Sequence, residues 1–202
     1  MLDIRDIDIV FLHGPHRPER REHMETLISS KGLKGRAFVG VSDQGKKSAA
    51  AGLVKLMKER LEGEFRPFIF MEDDCSATEW FRYEIPLPED ADAVYLGVSV
   101  WGMHPEREQA IQYIIKERAS DELFRIYNML STHAVLILTR AWVQNVLKCY
   151  EHAYSNMSSP ESFDVPVAYS MPHYNVYALK TPLFYQDAKI GGQEEPTLIQ
   201  FY

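Results

Sequence analysis

The chain has 202 residues, of which 46% are hydrophobic and 25% charged, and its formal net charge is -7. That length and balance suit one large folded domain with a real core, and they exclude a largely disordered chain. The acidic balance argues against a general nucleic-acid binder, which would carry a basic face.

Ile7 to Leu12 is a short apolar, β-branched run and is predicted as the first strand. His13-Gly14-Pro15-His16-Arg17-Pro18 breaks it. A helix is predicted from about Pro18 to Ser30, with Met24, Leu27 and Ile28 on its apolar face and Gly32 and Gly35 around its end. Arg36 to Val41 reads as a second strand and Ser42-Asp43-Gln44-Gly45 as a loop. Ser48 is a candidate cap for a second helix through about Leu61, whose stripe is Leu53, Leu56, Met57 and Leu61. Pro67-Phe68-Ile69-Phe70-Met71 then forms a continuous apolar run. Lacking polar alternation, such a strand is buried on both faces, as in a parallel sheet covered by helices. The first third therefore reads β-α-β-α-β, the pattern of a three-layer α/β domain.

The middle is less regular. Ala93 to Val98 is a fourth strand candidate, and a short helix is predicted around Glu108 to Arg118. Phe124 to Met129 and Ala134 to Leu138 look like strands. A helix is predicted from Thr139-Arg140 to about Ala153, packed through Val143, Val146, Leu147 and Tyr150. A short helix follows Asp164, and Asn175 to Phe184 is a last strand or strand pair. The tail after Gln186, with Gly191-Gly192, reads as mobile. Cys75 and Cys149 have no metal-ligand spacing and imply no disulfide framework, which fits a reducing compartment. The first residues lack the basic flank and apolar core of a signal peptide, and no apolar run approaches the roughly 20 residues of a membrane helix. The expectation is a soluble, cytoplasmic protein without an integral membrane segment.

Glu72-Asp73-Asp74 is the sharpest chemical signal. Three carboxylates follow directly on a buried strand, and ligands in open α/β sheets bind at the carboxyl ends of the strands. Concentrated negative charge there is costly unless protons or a cation neutralise it, and a hard divalent cation does so through oxygen ligands. In extended backbone Glu72 and Asp74 face one way and Asp73 the other. A solvated acidic turn is the plainer alternative.

Ile7-Asp8-Ile9-Val10-Phe11-Leu12, then Arg17-Pro18-Glu19-Arg20-Arg21, then the strand into Glu72-Asp73-Asp74, resembles the family 25 lipopolysaccharide-type glycosyltransferases. Ser131-Thr132-His133-Ala134-Val135-Leu136-Ile137-Leu138-Thr139-Arg140-Ala141 resembles that family's strand-into-helix segment. The chain is similar too to the small capsid-glycan glycosyltransferase domains of large algal viruses. One departure stands out: where the family carries a Ser-His pair before the acidic strand, this chain reads Ser48-Ala49-Ala50-Ala51-Gly52.

The resemblance implies a GT-A-like domain with a mixed, mainly parallel central sheet. It would span residues 1–202, with a nucleotide-binding part to about 100 and an acceptor-side part beyond. It implies a hexosyl- or deoxyhexosyltransferase that moves a sugar, with inversion, from a nucleotide-sugar donor (UDP-linked) to a glycan or glycoconjugate acceptor. Leu12, His13, Gly14, Arg17, Val41, Ser42 and Asp73 would contact the nucleotide, and Glu72 and Asp74 would hold Mn²⁺ or Mg²⁺. Asp164, at a helix start, is the candidate base for the acceptor hydroxyl; a plain helix cap is its alternative. Arg20 and Arg21 read as a solvated helix start. His133 and Trp142 read as core. Trp80 and Trp101 could stack on a sugar. His173, Asp187 and a Lys189 flap compete for supporting roles near a metal or diphosphate. Two other functions stay open: an inert GT-A-like sugar- or protein-binding domain, motivated by the missing Ser-His pair, and a metal-dependent nuclease or phosphatase.

Overall fold

The first third of the chain forms β1 (Asp8–His13), α1 (Pro18–Ser30), β2 (Lys34–Val39), α2 (Lys46–Leu61) and β3 (Phe68–Glu72) in a computed structural model that describes residues 1–40, 46–155 and 163–192. Pro18 opens α1, where its missing N–H would have had no helical partner anyway. Gly32, at φ 60, lets the chain turn out of the helix. The rest of the central sheet and its helices are β4 (Ala93–Tyr95), β5 (Lys116–Arg118), β6 (Leu123–Ile126), β7 (Ala134–Ile137), α3 (Arg140–Ser155), α4 (Val165–Ser170) and β8 (Val176–Leu179).

The eight strands form one sheet in the order β5-β6-β8-β4-β7-β3-β1-β2. β6 and β7 run against the other six, so the sheet is mixed and mainly parallel in strand direction. The central strands β3, β4, β7 and β8 are buried on both faces, as predicted for β3, whereas the edge strands β2 and β5 are mostly exposed. Val10, Phe68, Phe70, Val135 and Ile137 pack with Leu53, Leu56, Trp142 and Val146 of α2 and α3. Ile9, Phe11, Ile69, Met71 and Leu136 pack with Met24 and Ile28 of α1 on the opposite face. Each fully buried aromatic or aliphatic side chain stabilises the fold by about 1.5–3 kcal/mol. The result is a three-layer α/β architecture with helices on both sides of the sheet.

Three expectations need correction, and a fourth resolves between its two alternatives. Glu108 to Arg118 is not helical: Ala110–Ile111 pairs with Gly102–Met103, and Lys116–Arg118 is the sheet edge beside β6. The buried Asn128 amide pulls this segment into extended form, accepting from Ile115 N–H at 2.6 Å and donating to Met103 O at 2.8 Å. Such side-chain bonds to backbone compete with helix. The second helix starts at Lys46, so Ser48 lies inside its first turn rather than capping it. Asn175 to Phe184 splits into β8 and a separate strand, Phe184–Gln186, which pairs with Cys75–Ala77. The tail after Gln186 is ordered through Gly192: Ala188–Ile190 is a 3-10 turn capped by the Asp187 carboxylate. Among the described residues no helix is long and apolar enough to cross a membrane.

Candidate active site

β1, β2 and β3 are parallel neighbours, so their carboxyl ends meet at one rim of the sheet. β7 runs the other way, so its entry, Ser131-Thr132-His133, reaches the same rim. A cleft of about 310 Å³ opens there. Leu12, His13 and Gly14 line it from the end of β1, and Gly40 lines it from the end of β2. Glu72, Asp73 and Asp74 line it from the end of β3 and the turn after it, together with Arg17, Arg20, Phe163 and Gly191. Seven residues selected from the sequence, Leu12, His13, Gly14, Arg17, Glu72, Asp73 and Asp74, thus share one cleft. Val41 and Ser42 lie outside the described residues; Gly40, just before them, is in the cleft wall.

The three carboxylates have different surroundings. Glu72 ends β3 and accepts from Thr132 Oγ1 at 2.7 Å and Gln186 Nε2 at 2.8 Å. Enclosure away from water raises its pKa, and the nearby Asp74 charge adds to the rise. Asp73 and Asp74 sit in a turn, so strand alternation stops at Glu72 and both reach toward α1. Asp73 accepts from Arg20 Nη1 at 2.8 Å and Gly14 N–H at 3.2 Å, with His13 Nδ1 at 3.5 Å. It faces the β1 loop inside the cleft rather than turning away. Asp74 Oδ2 accepts from Arg20 Nη1 at 3.2 Å, while its Oδ1 is buried with no hydrogen-bond partner among the described residues. Burial raises the Asp74 pKa, Arg20 opposes that rise and Asp73 adds to it. The Gln186 amide, although bonded to Glu72, lies close enough to favour ionised Asp74.

Arg20 corrects the reading of a solvated helix start: it is 8% exposed. Burial disfavours its charge, but Asp73 and Asp74 outweigh that and its proton is held more tightly than usual. The available signal was spacing. Arg20 precedes Met24 and Ile28 by four and eight residues, on the buried face of α1. Arg21 is on the exposed face and pairs with Glu25 at 2.7 Å.

A second cluster forms where β7 enters the rim. Asp164 precedes α4 but its side chain does not cap that helix. Its Oδ2 accepts from Ser131 N–H at 2.8 Å, and its Oδ1 is buried without a partner among the described residues. Its charge reaches Glu72 and contributes to the raised pKa there. Ser131 holds φ 104, a conformation that side chains disfavour, and its hydroxyl meets His133 Nδ1. His133 is 1% exposed, and burial pushes its pKa down to about 4. Gly97 faces the ring: a Cβ there would fall 2.0 Å from His133 Nε2. Sequence reasoning missed Ser131 and Gly97, since neither backbone angle nor packing against a distant ring has a local signature. Trp142 is in the core at 1% exposure. Trp80, Trp101 and His173 do not line the cleft. Asp187 accepts from Ser76 Oγ at 2.9 Å and from Lys189 N–H at 2.9 Å, which makes it a turn anchor.

No family model matches the chain, and no curated protein does. Solved structures give distant likenesses. A glycosyltransferase involved in the glycosylation of the major capsid of PBCV-1 is 11% identical, with a TM-score of 0.48 over 85% of this chain and 80% of that one. A nucleoside-diphosphate-sugar pyrophosphorylase from Vibrio cholerae RC9 is 12% identical, with a TM-score of 0.45 over 87% of this chain and 73% of that one. The glycosyltransferase GlyE of Streptococcus pneumoniae TIGR4 is 11% identical, with a TM-score of 0.44 over 84% of this chain and 44% of that one.

Proposed function

We propose that the chain is a metal-dependent glycosyltransferase that moves a sugar from a UDP-linked donor to a hydroxyl of a glycan or glycoconjugate, with inversion. The observation that carries this reading is the acidic rim at the ends of three parallel strands, where Asp74 Oδ1 is buried without a donor among the described residues. A buried carboxylate oxygen in that condition suits a hard divalent cation, Mn²⁺ or Mg²⁺. Among the described residues no group of three or more His, Cys, Asp or Glu side chains is placed to hold a metal. Asp74 is therefore the main protein ligand in this reading, with donor oxygens and water as the others. Glu72 is a weaker ligand candidate than Asp74, because Thr132 and Gln186 already occupy both its oxygens. When bound, the cation supplies charge stabilisation for the departing diphosphate.

The chain's own residues bind and orient. His13, Gly14 and Arg17 wall the nucleotide end of the cleft, and Arg17 offers a cation to the diphosphate. Asp164 Oδ1 takes the proton of the acceptor hydroxyl as that oxygen forms its bond to the anomeric carbon. The bond from that carbon to the phosphate oxygen breaks, and its electron pair leaves with UDP. Titration calorimetry with UDP, with and without Mn²⁺, tests the reading. We expect binding that strengthens with metal and is lost in Asp74→Ala. No binding of UDP or GDP with metal present, together with an indifferent Asp74→Ala, sinks it. The full engagement of Glu72 and Asp73 by protein groups favours one other reading, an inert GT-A-like binding domain. UDP-sugar hydrolysis or transfer that disappears in Asp164→Ala rules that out.

A further inference from the structure

One buried cation faces the acidic rim, and it also fastens the last described turn of the chain. Arg20 Nη1 donates to Asp73 at 2.8 Å and to Asp74 at 3.2 Å. Its Nε donates to Ile190 O at 2.9 Å and its Nη2 to Gly191 O at 2.8 Å. The segment 186–192 follows the rim contact by contact: Gln186 bonds Glu72, and Asp187 N–H donates to Asp74 O at 2.8 Å. Gly191 holds φ 85, and a Cβ there would sit 2.8 Å from Arg20 Nη2 and 3.4 Å from Arg17 Nη1. Only glycine lets this strap approach so closely.

We propose that Arg20 is a positioning residue: its guanidinium sets the Asp73 and Asp74 carboxylates and docks residues 186–192 as a wall of the cleft, so that cation binding at Asp74 and strap docking are coupled. The coupling rests on the reading of Asp74 as a cation ligand. A planar fork with five donors can hold carboxylates and carbonyls at once, which an ammonium cannot. A second positive charge at Asp74 repels the guanidinium. Whatever a cation does to the strap, the strap does to cation affinity in return.

The test uses the full chain, Mn²⁺ alone as probe, and two readouts: Mn²⁺ affinity by calorimetry and amide exchange of residues 188–192. In the wild type, Mn²⁺ accelerates strap exchange. In Arg20→Met the repelling charge is gone, so Mn²⁺ binds roughly threefold or more tighter and strap exchange accelerates. Arg20→Lys keeps the charge and loses the fork, so strap exchange accelerates as in Arg20→Met while Mn²⁺ affinity rises less than in Arg20→Met. A purely structural role would not tighten Mn²⁺ binding in any variant. Unchanged strap exchange in both variants overturns the proposal, as does weaker Mn²⁺ binding in Arg20→Met or no Mn²⁺ binding to the wild type. If Arg20→Met fails to fold, Arg20→Lys decides the matter: faster strap exchange with Mn²⁺ affinity no weaker than wild type upholds the proposal, and unchanged strap exchange overturns it. Loss of the glycosyltransferase reading shows separately, as absence of UDP binding to the wild type with these two readouts unaffected.

Discussion

The two clusters at the rim of the sheet are built on different physics. Beside the ends of β1 and β3 the interactions are ionic: Asp73, Asp74 and one buried guanidinium, in contacts between residues 53 and 54 positions apart. Where β7 enters, the interactions are mostly steric and neutral: a serine at φ 104, an uncharged imidazole, and a glycine with no room for a methyl group. Each cluster carries one buried aspartate oxygen without a partner among the described residues, on Asp74 and on Asp164. A substitution in the first cluster therefore disturbs charge balance and ligand affinity. In the second it disturbs shape, and with it stability or turnover.

The largest expected effect separates the two aspartates. Asp164→Asn can still accept from Ser131 N–H, so its melting temperature and UDP affinity stay near wild type while turnover falls by about 10²–10⁴-fold. Turnover that survives Asp164→Asn would remove this residue from the chemistry. Next, Gly97→Ala drives a methyl group into the His133 ring and destabilises by about 3 kcal/mol; a urea melt indistinguishable from wild type would contradict the packing.

The pH dependence is comparable in size and has opposite signs in the two clusters. Buried His133 is neutral in the fold, and its pKa is pushed down to about 4 from the ordinary 6.5. As pH falls the unfolded chain takes up that proton first. Stability is therefore full above pH 6.5 and declines toward pH 4, by about 3 kcal/mol in all. His133→Gln should flatten that limb in urea melts at pH 7 and 4.5. Glu72 works the other way, because its folded pKa is raised. Its contribution is fullest below the ordinary 4.5 and is lost as pH rises, so without metal Glu72→Gln should gain relative stability between pH 5 and 8. The smallest effect concerns backbone strain: Ser131→Gly should be more stable than Ser131→Ala by about 1 kcal/mol, because both lose the hydroxyl and only glycine accepts φ 104. Equal melts for the two would mean the turn relaxes.

The same division explains what could be read from the chain alone. β1, β3 and α1–α3 announce themselves through apolar runs and helical stripes, and Glu72-Asp73-Asp74 stands out because charge directly follows a buried strand. Arg20 escaped because a charged residue on an apolar stripe looks like a solvated one until its partners, far away in the chain, are known. Residues 108–118 read as helix because Asn128, which extends them, acts from outside the segment. The ordered turn at Ala188–Ile190 was hidden by its glycines, which read as freedom and serve close approach. Ser131 and Gly97 follow from tertiary shape alone.

β7 occupies the slot between β3 and β4, both of which precede it in the chain. The sheet therefore cannot zip in sequence order. Until residues 134–137 arrive, β3 and β4 each present a bare edge of unpaired backbone groups. Such edges are templates for wrong pairing, and non-local pairing of this kind slows folding. The strand that carries the second cluster to the rim is thus also the one that closes the sheet. Refolding at high protein concentration should lose yield through those open edges, before the cleft exists.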